Sequence, residues 1–151
     1  MARMDPGVGA ADLQALAEFR YQVRRYLHFS ETAAKAAGLL PQQYQALGVL
    51  KGAPSGKDTT VAYLAERMQI QHHSAVGLVD RLVQRGLVER VRSEADRRQV
   101  LVRLTERGDA ILSELVAHHL TELRAAAPSL VHALNTLTAG AESFWPPTSG
   151  S

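Results

Sequence analysis

The stretch Thr59-Thr60-Val61-Ala62-Tyr63-Leu64-Ala65-Glu66-Arg67-Met68, the turn Gln69-Ile70-Gln71 and the run His72-His73-Ser74-Ala75-Val76-Gly77-Leu78-Val79-Asp80-Arg81-Leu82-Val83-Gln84-Arg85 decide the fold. Val61, Leu64, Ala65 and Met68 recur at helical spacing behind Thr60, a residue type that caps a helix by accepting from a backbone N–H. Ala75, Leu78, Val79 and Leu82 mark the apolar face of a second helix, and Gly86 stops it. The Val- and Leu-rich runs 87–92 and 99–104 predict two short strands joined by Ser93-Glu94-Ala95-Asp96-Arg97-Arg98. Two helices about a tight turn, followed by an arginine-tipped hairpin, predict a winged helix-turn-helix. Such a unit presents one helix to a nucleic-acid groove and a basic hairpin beside it.

Outward from this module, residues 12–37 predict one long helix with a stripe of Leu16, Phe19, Val23, Leu27, Ser30 and Ala34, ended by Gly38. Pro41 suits the first turn of a shorter helix that runs to Leu50 and closes at Gly52. After the hairpin, Thr105 caps a last long helix with Ile111, Leu112, Leu115, Val116, His119 and Leu123 along its apolar side. Pro128 is expected to kink or break that helix before Leu130, Leu134 and Leu137 resume the pattern. The predicted class is mainly α with a small β wing, in a single domain over residues 1–151. Residues 41–104 form its winged lobe, 12–37 and 105–138 are pairing helices, and 1–11 and 140–151, the latter with Trp145, are flexible tails. Two long apolar helices cannot both be covered by so small a module, so a homodimer is expected.

Charge distribution says more than net charge. The whole chain carries only +2, but residues 71–107 hold eight Arg against five acids, leaving the remainder at −1. The excess is entirely arginine, whose planar fork matches phosphate and guanine. Cysteine is absent, which excludes disulfides, thiolate metal sites and cysteine redox switches. The start Met1-Ala2-Arg3-Met4-Asp5-Pro6-Gly7 lacks an apolar signal core, and no apolar run approaches the ~20 residues of a membrane span, so a cytoplasmic location with no membrane partner is expected.

The segments Leu78-Val79-Asp80-Arg81-Leu82-Val83-Gln84-Arg85-Gly86-Leu87-Val88-Glu89-Arg90 and Asp96-Arg97-Arg98-Gln99-Val100-Leu101-Val102-Arg103-Leu104-Thr105-Glu106-Arg107-Gly108 closely resemble the multiple antibiotic resistance regulator (MarR) family of transcriptional regulators. The hallmark is an Asp-x-Arg wing tip, here Asp96 and Arg98, followed by a strand ending in Leu-Thr-x-x-Gly, here Leu104 to Gly108. The element order extends the resemblance over residues 12–138. It implies a homodimer with interlocked terminal helices that binds double-stranded DNA at a palindromic, inverted-repeat operator. Such a protein is most often a repressor, released by a small lipophilic or aromatic effector. A constitutive DNA-binding protein without an effector and a metal-responsive regulator are the alternatives.

By position, the resemblance makes Arg98 the minor-groove arginine of the wing, with Arg97 beside it, and makes Arg81 and the start of the helix at His72 the major-groove and phosphate contacts. Gly77 departs from the pattern, because relatives often carry a polar or basic base-reading side chain there. Reading is therefore expected to shift to Gln71, His72, His73 and Ser74, with Val76 available to a thymine methyl and Thr60 at the start of the preceding helix. The resemblance also sets Tyr21, Arg25, His28, Phe29 and Tyr44 where the family's effector pocket lies. Glu114, His118 and Glu122 fall at i, i+4 spacing, but acid–His pairs are common on helices and no Cys supports a site, so no metal is expected. No glycine-rich loop, nucleophile motif or converging acid–base set is present, so neither catalysis nor a cofactor is expected.

Overall fold

The computed structural model describes residues 7–139. The tail expectations for residues 1–6 and 140–151, Trp145 included, lie outside the described residues. In chain order the elements are α1 (Ala10–Ala36), α2 (Pro41–Lys51), α3 (Val61–Met68), α4 (His72–Gln84), β1 (Val88–Arg92), β2 (Val100–Leu104) and α5 (Glu106–Ala139). α1 starts two residues earlier than its apolar pattern, because Asp12 accepts from the Gly9 N–H at 2.9 Å and satisfies a donor at the helix start. α5 runs unbroken through Pro128, contrary to a break there. A proline removes its own N–H from the ladder and its ring crowds the carbonyl four residues back, and the helix on both sides is long enough to carry that local loss.

The described residues divide into two compact units, residues 30–118 and residues 7–29 with 119–139. The first holds the larger core. Leu47, Leu64, Val79, Leu82, Leu87 and Val102 are fully buried, and they come from α2, α3, α4 and the hairpin in turn. The apolar face predicted for α4 is the one observed, with Ala75, Leu78, Val79 and Leu82 all buried. Each such leucine contributes about 1.5–3 kcal/mol by leaving water. Buried Gln43 ties α2 to the end of α4, its Oε1 accepting from the Leu40 N–H at 3.1 Å and from Arg85 Nη1 at 2.7 Å.

α3 begins where Thr60 Oγ1 accepts from the Tyr63 N–H at 3.1 Å, as its position predicts. Thr60→Ala should cost about 1 kcal/mol, lowering the melting temperature by about 2–4 °C; an unchanged melting curve would show the cap to be idle. Gln69 ends α3 in the left-handed region at φ 55°, with its side-chain amide donating to the Glu66 carbonyl at 2.9 Å. Gly86, at φ +68°, makes the equivalent turn after α4 without a Cβ penalty, and the Leu87 N–H returns to the Leu82 carbonyl at 3.0 Å.

The hairpin strands pair antiparallel with Val88 opposite Leu104 and Arg92 opposite Val100. Thr59 adds to the free edge of β2: its carbonyl accepts from the Val102 N–H and its hydroxyl donates to the Val102 carbonyl, both at 2.8 Å. These bonds fix the start of the helix-turn-helix against the sheet. α5 is anchored by Thr105, whose Oγ1 accepts from the Gly108 N–H at 3.1 Å and donates to the Gly86 carbonyl at 2.6 Å.

In the second unit the buried face of α1 keeps Phe19 and Val23 of the predicted stripe but not Leu16 or Leu27. Ala15 and Gln22 are buried and Phe19, Val23, Tyr26 and Phe29 half-buried, whereas Leu16 and Leu27 stay exposed, Leu27 at 52%. On α5, His119 and Ala133 are buried while Leu120, Leu123, Val131 and Leu134 are exposed. His119 packs edge-on against Tyr26 and Phe29, at centroid distances of 6.0 and 5.3 Å.

Candidate nucleic-acid interface

α4 is amphipathic, so burying Ala75, Leu78, Val79 and Leu82 turns the rest outward. Gln71, His72, His73, Ser74, Val76 and Arg81 are exposed, and Gly77 is half-buried. Gln71 is the N-cap residue with extended backbone and makes no side-chain cap bond, which leaves its amide available. Backbone N–H groups at this helix start are unsatisfied within the helix and favour an anion. Thr60 is half-buried and its oxygen already accepts from the Tyr63 N–H, so its hydroxyl proton and one remaining lone pair are what it can offer a ligand.

The wing tip is built by local hydrogen bonds. Buried Ser93 accepts through Oγ from the Asp96 N–H at 3.2 Å, and the Gln99 N–H closes the turn on the Asp96 carbonyl at 2.9 Å. Asp96 Oδ1 then accepts from the Arg98 N–H at 3.0 Å and from Arg98 Nε at 3.3 Å. This braces the guanidinium near its root and leaves its terminal nitrogens outward, with the Arg98 side chain 91% exposed. Arg97 is also exposed, and its carbonyl is held by Arg92 Nη1 at 2.8 Å. The arrangement offers a pre-oriented cationic fork, held at Nε by the Asp96 carboxylate and open at its terminal nitrogens, the geometry a phosphate or a narrow groove rewards.

Two contributors were absent from the sequence reading. Arg90 on β1 pairs with Asp80 on α4, fastening the hairpin to the helix. Ser93 organises the tip, and a serine opening a turn was the legible signal for it. The Asp80–Arg90 pair had none, since only the turn at Gly86 brings the two side chains together.

The residues set aside for an effector fall in both units. Arg25 lies over the Tyr21 ring at 5.8 Å, and Phe29 packs on His119. His28 is exposed. Tyr44 belongs to the winged unit, where it lines a depression of about 470 Å³ between α2 and α3 with Tyr63, Arg67 and Met68. A larger groove, about 600 Å³, runs in the helical unit between Gln14 and Glu18 of α1 and Ser129 and His132 of α5. Among the described residues no group of three or more His, Asp or Glu side chains is placed to hold a metal ion, and no helix is long and apolar enough to cross a membrane.

The MarR family model matches residues 37–99. The HTH-type transcriptional repressor MdtR of Bacillus subtilis (strain 168) is 35% identical over 80 residues, which are 53% of this chain and 50% of that protein. The chain spans half or less of the length of the curated relatives it matches. A MarR family protein from Bacillus stearothermophilus is 28% identical in a structural match covering 89% of this chain and 81% of that one, with a TM-score of 0.63. AbsC, a MarR family transcriptional regulator from Streptomyces coelicolor, shares the fold over 94% of this chain and 95% of its own, with a TM-score of 0.69 at 22% identity. Family model, curated relatives and fold agree with the Asp96-x-Arg98 wing and the Leu104-Thr105-x-x-Gly108 junction: the chain has a winged helix-turn-helix fold and is similar, over residues 37–99, to regulators of the MarR family.

Proposed function

We propose that the protein is a homodimeric transcriptional repressor that binds an inverted-repeat operator in double-stranded DNA and leaves it when a small lipophilic or aromatic effector binds. The observation that carries DNA binding is the pairing, within one unit, of an outward α4 face with the braced Arg98 of the wing. α4 enters the major groove with Gln71, His72, His73, Ser74, Val76 and Arg81, and Arg97 and Arg98 meet the neighbouring minor groove. The match to the MarR family model and the repressor among the curated relatives favour repression.

Pairing is supported by apolar side chains without cover in the helical unit: Leu13, Leu16 and Leu27 on α1, and Leu120, Leu123, Val131 and Leu134 on α5. A second copy gives such a surface a symmetric partner. Sedimentation should find a dimer at micromolar concentration, and Leu123→Asp should shift it toward monomer. Leu115, on the same helix, is buried in the core of the winged unit, so a charge there tests folding rather than pairing. A wild-type monomer would overturn the dimeric reading.

A twofold dimer sets its reading helices about 34 Å apart, so selection from random DNA should return an inverted repeat with half-sites one helical turn apart. Asymmetric single sites would contradict it. Effector control rests on the resemblance, which sets Tyr21, Arg25, His28, Phe29 and Tyr44 at the effector positions, and coupling of about 1–3 kcal/mol would suffice to release an operator. Aromatic acids, phenols and dyes that change neither melting temperature nor operator affinity would leave a constitutive DNA-binding protein.

A further inference from the structure

The face of α4 that carries His73, Gly77 and Arg81 at successive i, i+4 positions has a gap in its middle. A Cβ built on Gly77 has one neighbour within 4 Å outside its own backbone, Arg81 Nη2 at 4.0 Å. Helical side chains lean toward the N-terminus, so Arg81 reaches back along the helix toward the turn of Gly77. No ion pair among the described residues engages Arg81. The acid next to it, Asp80, is taken by Arg90 of β1. Gly77 also costs helix stability relative to alanine, and nothing in the core requires it, since that position is otherwise open.

We infer that Gly77 is a notch that seats the Arg81 guanidinium, making Arg81 the specificity-determining residue of the reading helix, directed at a guanine in each half-site. This rests on the DNA-binding reading above and replaces a lost side chain at position 77 with one borrowed from the next turn. The chemistry is the forked donation of a guanidinium to guanine O6 and N7, which a lysine cannot reproduce with one ammonium. Asp80 contributes by its engagement elsewhere: a free carboxylate beside Arg81 would compete with the base.

The test is selection from random double-stranded DNA, followed by affinity measurements on the selected site and on its guanine-substituted versions. Wild type should show one guanine per half-site whose replacement weakens binding by about 5- to 150-fold. Arg81→Lys should lose that discrimination while keeping non-specific DNA binding. Gly77→Leu, which fills the notch and displaces the guanidinium, should lose it as well, and the double variant should be no worse than either single one. Gly77→Ala places its methyl at ordinary contact distance, so it should keep the guanine preference while raising the melting temperature by about 1–4 °C. Melting curves of all variants establish that they fold. If Arg81→Lys or Gly77→Leu weakened all sequences equally and left the guanine preference intact, Arg81 would be a phosphate contact and the inference would fall, with the DNA-binding reading still standing. If wild type bound no double-stranded DNA, that reading itself would fail and this one with it.

Discussion

Gly108→Ala should lower the melting temperature by about 10 °C, on the scale of ~2–4 °C per kcal/mol for a chain of this length. A Cβ at position 108 would sit 2.0 Å from the Leu87 carbonyl oxygen and 3.0 Å from its carbon. Both are backbone atoms of a fully buried residue, so no flexible side chain can move aside. The same carbonyl accepts from the Thr105 N–H at 3.1 Å, and Thr105 in turn caps α5 through the Gly108 N–H. Pushing Leu87 and α5 apart therefore adds to overpacking, itself about 1–3 kcal/mol, the loss of a cap worth about 1 kcal/mol. Against a total stability of about 5–15 kcal/mol this is a large fraction. Thermal melts of wild type and variant decide it: an unchanged midpoint would mean that the helix start relaxes freely, and the close approach would have no structural weight.

Operator affinity should collapse with salt and with the loss of one wing arginine. A dimer making 6–10 phosphate contacts loses about 10³- to 10⁵-fold in affinity between ~50 and ~200 mM salt through counterion release. Arg98→Ala should remove a further contact at the order of ~1–3 kcal/mol, without destabilising the fold because the side chain is 91% exposed. Asp96→Ala provides the sharper comparison. It leaves the Arg98 charge in place but removes the carboxylate that accepts from the Arg98 N–H and Nε, so it should weaken binding through lost pre-orientation. Binding measured across a salt series separates the two: Arg98→Ala should flatten the slope, whereas Asp96→Ala should keep or steepen it. Salt-independent binding, or full affinity in Arg98→Ala, would exclude the wing from the interface.

Local periodicity and local chemistry were enough to read the winged module. The caps Thr60 and Thr105, the stops Gly38 and Gly86 and the apolar faces of α3 and α4 depend on neighbours within a turn or two, and each stands where its residues placed it. The Asp96–Arg98 brace was legible for the same reason, being a contact across two residues. Charge patterning was legible too, because the eight arginines from 81 to 107 cluster along the chain.

Other features required the tertiary structure. A 3.6-residue period in α1 states that a helix is amphipathic, but the side that faces protein depends on what packs there. Ala15 and Gln22 are buried while Leu16 and Leu27 are not. Pro128 reads locally as a breaker, yet the surrounding helix absorbs one missing donor. The link between Asp80 and Arg90, the edge bonds of Thr59 to Val102 and the contact of Gly108 with Leu87 join residues 10 to 43 positions apart, through turns whose angles no local pattern specifies. The amino-acid sequence by itself determined which segments become helices and strands and which of them carry the cationic tip, because those depend on short-range sterics and hydrogen bonding. The tertiary structure alone decided which glycine lies against another segment's backbone, which acid is already engaged and which leucines remain uncovered, because those depend on what long-range packing brings into contact.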